Sequence, residues 1–179
     1  TTHVASILGS WGHTSPTYFP SPADLRYGND TLLAMQRQLP SLVRGYVTVN
    51  PNYPAEALAE INRCLDAGMI GIKLAASRRA NDPLVDPVCR LAAERGTPVL
   101  HHVWQSRRGE HAGQEASDAW ELAELARRHP AVIFLLAHVG GGGDWLQSLP
   151  AVRPVPNVMV DLSGSGVDGG MLEACLDMV

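Results

Sequence analysis

Residues 54–74 read PAEALAEINRCLDAGMIGIKL, and the fold follows from this stretch. Pro54 suits the first helical position, where its missing N–H costs no hydrogen bond. Ala57, Leu58, Ile61 and Leu65 then recur on one side of a 3.6-residue period, which makes an amphipathic helix. Gly68 supplies the left-handed residue that closes it. The following Gly-Ile-Lys-Leu is a short, almost wholly apolar run of the kind a strand buried on both faces requires. Helix, glycine, buried strand is a rhythm that the rest of the chain repeats. The pattern predicts strands over 3–8, 43–49, 70–74, 98–103, 132–138 and 157–162. It predicts helices over 30–39, 54–67, 83–95, 115–128, 144–149 and 169–178. The third of these ends at Gly96, with Val88, Leu91 and Ala92 on one face. The Ser/Pro-rich stretch 10–23 reads as a long loop.

Strands alternating with helices imply repeated βα units around a parallel sheet. The predicted fold class is α/β, a (β/α)8 TIM barrel with about six units visible, as one partial barrel domain over 1–179. A closed barrel usually needs ~200 residues or more, and the chain has 179. It opens on Thr1 and closes on the apolar helical run 172–179, so the first and last barrel units are expected to lie outside it. The alternative is an open doubly wound sheet.

Composition narrows the function classes. The chain is 45% hydrophobic and 18% charged, with mean hydropathy -0.04, as in a globular protein with a sizeable core. The net charge of -4 leaves no basic stripe for a phosphate backbone, so no nucleic-acid partner is expected. The longest apolar run, 131–137, is far short of the ~18 residues of a membrane span, so no membrane partner is expected either. Cys64, Cys89 and Cys175 fall in helical patterns at wide spacing, which reads as reduced thiols in a cytoplasmic protein. The expected partner is a small-molecule substrate, and a homo-oligomer is compatible with these features.

Reactive side chains of parallel βα proteins gather at the C-terminal ends of the strands. Those ends here carry Lys73, His101-His102, His138, and Asp161 with Ser163. Lys, His and His thus occupy matching positions in three successive units, and imidazole nitrogens suit zinc and similar divalent cations. Side chains alternate along a strand, so His101 and His102 face opposite ways, and alternation alone does not choose between them. His138 closes an apolar run and precedes four glycines, where a buried imidazole needs a metal, a substrate or a carboxylate. A phosphate cradle ahead of Asp144 is a weaker reading of the same glycines.

Lys73 is the only lysine; the other basic residues are arginine. It reads as a Schiff-base nucleophile, a carbamylated metal bridge, or the partner of Asp161 or another carboxylate in a salt bridge. Asp161 reads as a partner that orients a ligating imidazole or as the cap of its own loop. Trp11 and Trp104 fall in loops at the same mouth, where aromatic walls suit a planar substrate. His13 is a lesser candidate there, and His3, His111 and His129 read as solvent-exposed.

The phrases Gly71-Ile-Lys-Leu74, Thr97-Pro-Val-Leu-His-His-Val-Trp104, Ala137-His-Val-Gly-Gly141, Gly143-Asp-Trp145 and Asn157-Val-Met-Val-Asp-Leu-Ser-Gly164 resemble the amidohydrolase-related metal-dependent hydrolases. That branch also holds the aminocarboxymuconate-semialdehyde decarboxylase type. The resemblance covers nearly the whole chain. It implies a divalent metal ion, most simply Zn, at the C-terminal mouth of the barrel. His102, in Pro-Val-x-x-His, would be the fifth-strand metal ligand. His138, the sixth-strand histidine, would activate water or substrate or hold a second metal. Lys73 falls on the fourth strand, where some relatives carry a carbamylated lysine and others a non-ligand, so the resemblance leaves its role open; Lys73 and Asp161 stay candidates for holding or supporting the metal. The family's first-strand His-x-His and eighth-strand Asp have no counterpart in the chain, so the polypeptide alone is expected to be metal-poor and inactive.

The expected function is therefore a metal-dependent hydrolase whose activated water attacks an amide, lactone or related carbonyl. One alternative is metal-dependent non-oxidative decarboxylation of an unsaturated or aromatic carboxylate. Others are a Lys73 Schiff-base lyase and a non-catalytic or inactive barrel fragment.

Overall fold

A computed structural model describes residues 1–7, 15–74, 76–103, 114–140, 145–163 and 169–177. Six strands run in sequence order, β1 (His3–Ala5), β2 (Val43–Val49), β3 (Gly71–Leu74), β4 (Val99–His101), β5 (Phe134–Leu136) and β6 (Val158–Val160). Every neighbouring pair is parallel. The helices between and after them are α1 (Pro22–Gln38), α2 (Pro54–Asp66), α3 (Asp86–Arg95), α4 (Ala119–Arg128), α5 (Trp145–Val152) and α6 (Met171–Leu176). A doubly wound sheet reverses its strand order at a switch point. The unbroken order 1-2-3-4-5-6 has no reversal, so the sheet is a curled half-barrel and the open-sheet alternative fails.

Local chemistry sets the element ends. Gly68 and Gly96 close α2 and α3 at φ +97° and +59°, as expected. The first helix starts at Pro22, earlier than predicted, because the Ser/Pro stretch holds its cap. Ser21 Oγ accepts from the Asp24 N–H, and Pro22 takes the first turn. The fourth begins at Ala119, four residues later than predicted. A capping box fixes it: the Glu121 N–H donates to Asp118 Oδ1 at 2.8 Å, and the Asp118 N–H to Glu121 Oε2 at 3.1 Å. The buried stripe of α2 is Ala57, Glu60, Ile61 and Cys64, with Leu58 and Leu65 at its margin.

The sheet has two unlike faces. Val47, Val49, Ile72, Leu74, Val99, Phe134 and Leu136 share one core with Leu32, Ile61, Val88 and Leu122 from the helices. Each such fully buried side chain contributes about 1.5–3 kcal/mol. The alternate residues Tyr46, Thr48, Lys73, Leu100, Leu135 and Met159 face the concave side, where Met159 is 55% exposed. At Gly71 even a Cβ would lie 2.6 Å from the Tyr46 ring, which lies over β3 on that side. All three cysteines are buried and free. Among the described residues no helix is long and apolar enough to cross a membrane.

Candidate metal centre

The two histidines of β4 part as the pleat requires. His101 is the register partner of Leu74 and Leu136, both in the helix-side core, and is fully buried there. Its Nδ1 lies 3.1 Å from the His102 carbonyl oxygen, and its Nε2 has no hydrogen-bond partner among the described residues. Burial, seconded by Lys73, lowers its pKa to about 4, so the ring is neutral. His102, the next residue, carries the ladder on through its N–H to the Leu74 carbonyl at 3.2 Å and faces the concave side. Burial, then Lys73, His138 and His101, lowers its pKa to about 2. A neutral ring is the form that can ligate a cation.

His138 reaches the same point from the end of β5. Its Nδ1 lies 2.8 Å from the Ser163 carbonyl oxygen. A carbonyl only accepts, so Nδ1 carries the proton and Nε2 of the neutral ring holds the lone pair. That Nε2 stands 3.3 Å from His102 Nδ1, with ring centroids 5.0 Å apart and planes at 81°. Two nitrogens at 2.0–2.1 Å from one tetrahedral cation lie roughly 3.3–3.4 Å apart. The same 3.3 Å suits a hydrogen bond from His102 Nδ1–H to the His138 Nε2 lone pair, so the pair can place a cation ligand and a proton-carrying imidazole side by side. Among the described residues no third His, Cys, Asp or Glu completes a metal cluster.

The backbone is strained to make this approach. His138 and Val139 adopt φ +61° and +48°. Left-handed backbone is a genuine outlier for a β-branched residue, and such positions cost on the order of 1–3 kcal/mol each. Asp161, just past β6, holds the bend. Its Oδ2 accepts from the His138 N–H at 3.3 Å, and its carbonyl from the Val139 N–H at 3.0 Å. Its carboxylate also accepts from the Ser163 N–H at 3.1 Å and hydroxyl at 2.5 Å. Asp161 therefore joins the start of its own loop at Ser163 to the main chain of His138, without touching the imidazole itself.

Lys73 lies on the concave face, 4% exposed. The expected salt bridge to Asp161 is not formed: among the described residues no carboxylate lies within ion-pair distance of its amine. Asp161 is drawn instead to the His138 and Ser163 groups, and acts on Lys73 only at longer range. Burial lowers the Lys73 pKa to about 8 against that attraction. The His129 expectation also fails. It is half-buried, with Nε2 2.8 Å from Asp86 Oδ1. His3 is exposed as expected. Trp11, Trp104, His13, His111, Asp144 and the last three of the four glycines lie outside the described residues.

Two residues were missed in the sequence. Tyr18 brings its ring to 6.2 Å from that of His102, and nothing in its loop context marks it. Thr48 lies on the concave face beside Lys73, its register partner. The period-two alternation Arg44, Tyr46, Thr48 against Val43, Val47, Val49 was the signal available for it. Cavities of about 530 and 640 Å³ lie between α1 and α2 and between α5 and α6, lined by neither histidine.

The amidohydrolase family profile matches residues 23–175, and the chain belongs to that family. No curated protein sequence matches it. Among solved structures it is similar to 5-carboxyvanillate decarboxylase from Sphingomonas paucimobilis, with 19% identity and TM-score 0.71, covering 99% of this chain and 64% of that one. It is also similar to 2,6-dihydroxybenzoate decarboxylase from Rhizobium, with 16% identity and TM-score 0.66 over 88% and 63% of the two chains. A third is the manganese-bound 5-carboxyvanillate decarboxylase variant from Novosphingobium aromaticivorans, with 19% identity and TM-score 0.65 over 92% and 62%. The chain spans a little under two-thirds of the length of each of these structures. Members of this family bind divalent metals.

Proposed function

We propose that the intact protein is a metal-dependent decarboxylase of an aromatic or unsaturated carboxylic acid. The observation that carries this reading is the 3.3 Å approach of His138 Nε2 to His102 Nδ1, with His138 fixed through Ser163 and Asp161. The two decarboxylases of aromatic acids among the similar structures support it. His102 would hold a divalent cation, with His138 beside it. Such a cation supplies a Lewis acid for a carboxylate or carbonyl oxygen. Manganese stands beside zinc as the candidate, because a similar structure carries it and imidazole accepts both.

The chain's own part is proton delivery. His138 Nδ1–H stays on the Ser163 carbonyl, so Nε2 is the nitrogen that gains and gives a proton. Protonated there, His138 delivers the proton to the ring carbon that bears the carboxylate. The carbon–carbon bond then breaks, its electron pair restores the ring, and CO₂ leaves.

Hydrolysis of an amide, lactone or related carbonyl is the second reading, favoured by the family match. There His138 takes a proton from water instead of giving one to carbon. The intact protein, loaded with Mn²⁺ or Zn²⁺, is incubated in D₂O with hydroxybenzoates, lactones and amides. The decarboxylase reading expects CO₂ and a product with deuterium where the carboxylate stood. Hydrolysis products without CO₂ would replace it with the second reading. No turnover of any compound would count against both.

A further inference from the structure

We propose that Lys73 and Thr48 together form the seat for a carboxylate group of the substrate. The inference deepens the decarboxylase reading and rests on it for the placement of that substrate. Lys73 and Thr48 are register partners on β3 and β2, so their side chains leave the sheet side by side on the concave face. Lys73 is 4% exposed and Thr48 1%. Among the described residues the Lys73 amine has no ion-pair partner, and Thr48 Oγ1 is a buried hydroxyl without a hydrogen bond.

Each is costly alone. A buried ammonium needs a counter-charge, and an orphaned hydroxyl forfeits its hydrogen bond. A carboxylate answers both, since one oxygen can accept from the ammonium while the other accepts from the hydroxyl. The ammonium also repels a metal ion, so this seat selects anions while the imidazoles select the cation. The two are close, because Lys73 is the register partner of Leu100 on β4, two residues before His102 on the same face. Asp161, the carboxylate that also acts on Lys73, keeps its oxygens on the His138 and Ser163 groups and leaves the seat to a ligand.

Lys73 is the only lysine among the 179 residues, so amine chemistry read by peptide mapping reports on it by itself. The test compares benzoate with benzamide, its uncharged isostere, on the metal-loaded protein. Benzoate is expected to slow acetylation of Lys73 at least tenfold, and benzamide to leave it unchanged. In titration calorimetry, Lys73→Met should weaken benzoate at least thirtyfold and Thr48→Val three- to tenfold. Benzamide binding and metal content should stay as in the unaltered protein. Equal protection by both compounds, or by neither, overturns the proposal, as does benzoate affinity that survives Lys73→Met. Should Lys73→Met fail to fold, protection of the unaltered protein decides. Absence of CO₂ release from every acid would remove the decarboxylase reading without touching the benzoate preference, so the two can fail separately.

Discussion

His101 and His102 are adjacent residues of one strand end, of the same chemical type, with opposite surroundings. His101 sits in the helix-side core, among residues that exist to be buried. His102 faces the concave side with His138, Lys73 and Tyr18. The same contrast runs through β2 and β3, where Val47, Val49, Ile72 and Leu74 pack outward while Thr48 and Lys73 face inward. A parallel strand thus divides its duties by parity: one set of alternate residues stabilises the sheet and the other carries the chemistry. Replacement on one face should therefore change stability, and on the other ligand binding.

The largest stability effect belongs to Phe134, fully buried on the helix side of β5. Phe134→Ala should destabilise the chain by about 3–5 kcal/mol in urea unfolding. Met159→Ala on the exposed concave side of β6 should stay within about 0.5 kcal/mol. Equal costs would break the parity rule.

The next effect is at the bend. Asp161→Ala removes the side-chain acceptor for the His138 N–H and for Ser163, leaving the left-handed bend held only by the bond from the Val139 N–H to the main-chain carbonyl of residue 161. Stability should fall by about 1–3 kcal/mol and cation affinity with it. Asp161→Asn, which keeps a carbonyl acceptor, should recover part of both. A full-affinity Asp161→Ala variant would sever the bend from the site.

A pH effect separates the two histidines of β4. Both are held neutral in the folded chain, His101 at about 4 and His102 at about 2, each chiefly by burial. The unfolded chain takes up protons near pH 6.5 that the folded chain refuses, so stability is full above that pH and lost as pH falls. For His101 the loss down to pH 4 is about 3 kcal/mol. In the metal-free chain His101→Leu should lower the slope of stability against pH between 6.5 and 5 by about one proton, leaving the part due to His102. An unchanged slope would mean that His101 is not sealed in the core.

The smallest effect is at the surface of the helix layer. Burial works against the Asp86 carboxylate, but hydrogen bonds from His129 and Arg128 hold its pKa below the usual range. Asp86→Asn should cost about 1 kcal/mol near neutral pH and leave cation binding unchanged.

The parallel βα architecture was readable because its signals are local. The valines at 43–49 gave β2 its observed bounds, and Gly68 and Gly96 stand where helix ends require positive φ. The start of α1 was not readable by eye, since a Ser-Pro pair looks alike as a loop and as a helix cap. The predicted strand at 132–138 shrank to Phe134–Leu136 because His138 turns into left-handed backbone, held by a carboxylate 23 positions later. No periodicity encodes a hydrogen bond from such a distance. For the same reason Lys73 looked like half of a salt bridge: sequence brings Asp161 to the neighbourhood but does not say which groups its oxygens choose.

The proposal to test is that His102 holds a cation with His138 beside it, while His101, their near neighbour, takes no part. It is tested most directly by following the imidazole ¹⁵N resonances of the intact protein as Mn²⁺ is added. The account predicts that the signals of His102 and His138 broaden together and are complete at one equivalent, with His129 unaffected and His101 broadened less than His102. Broadening that saturates separately at the two residues, or that leaves both untouched, would contradict it.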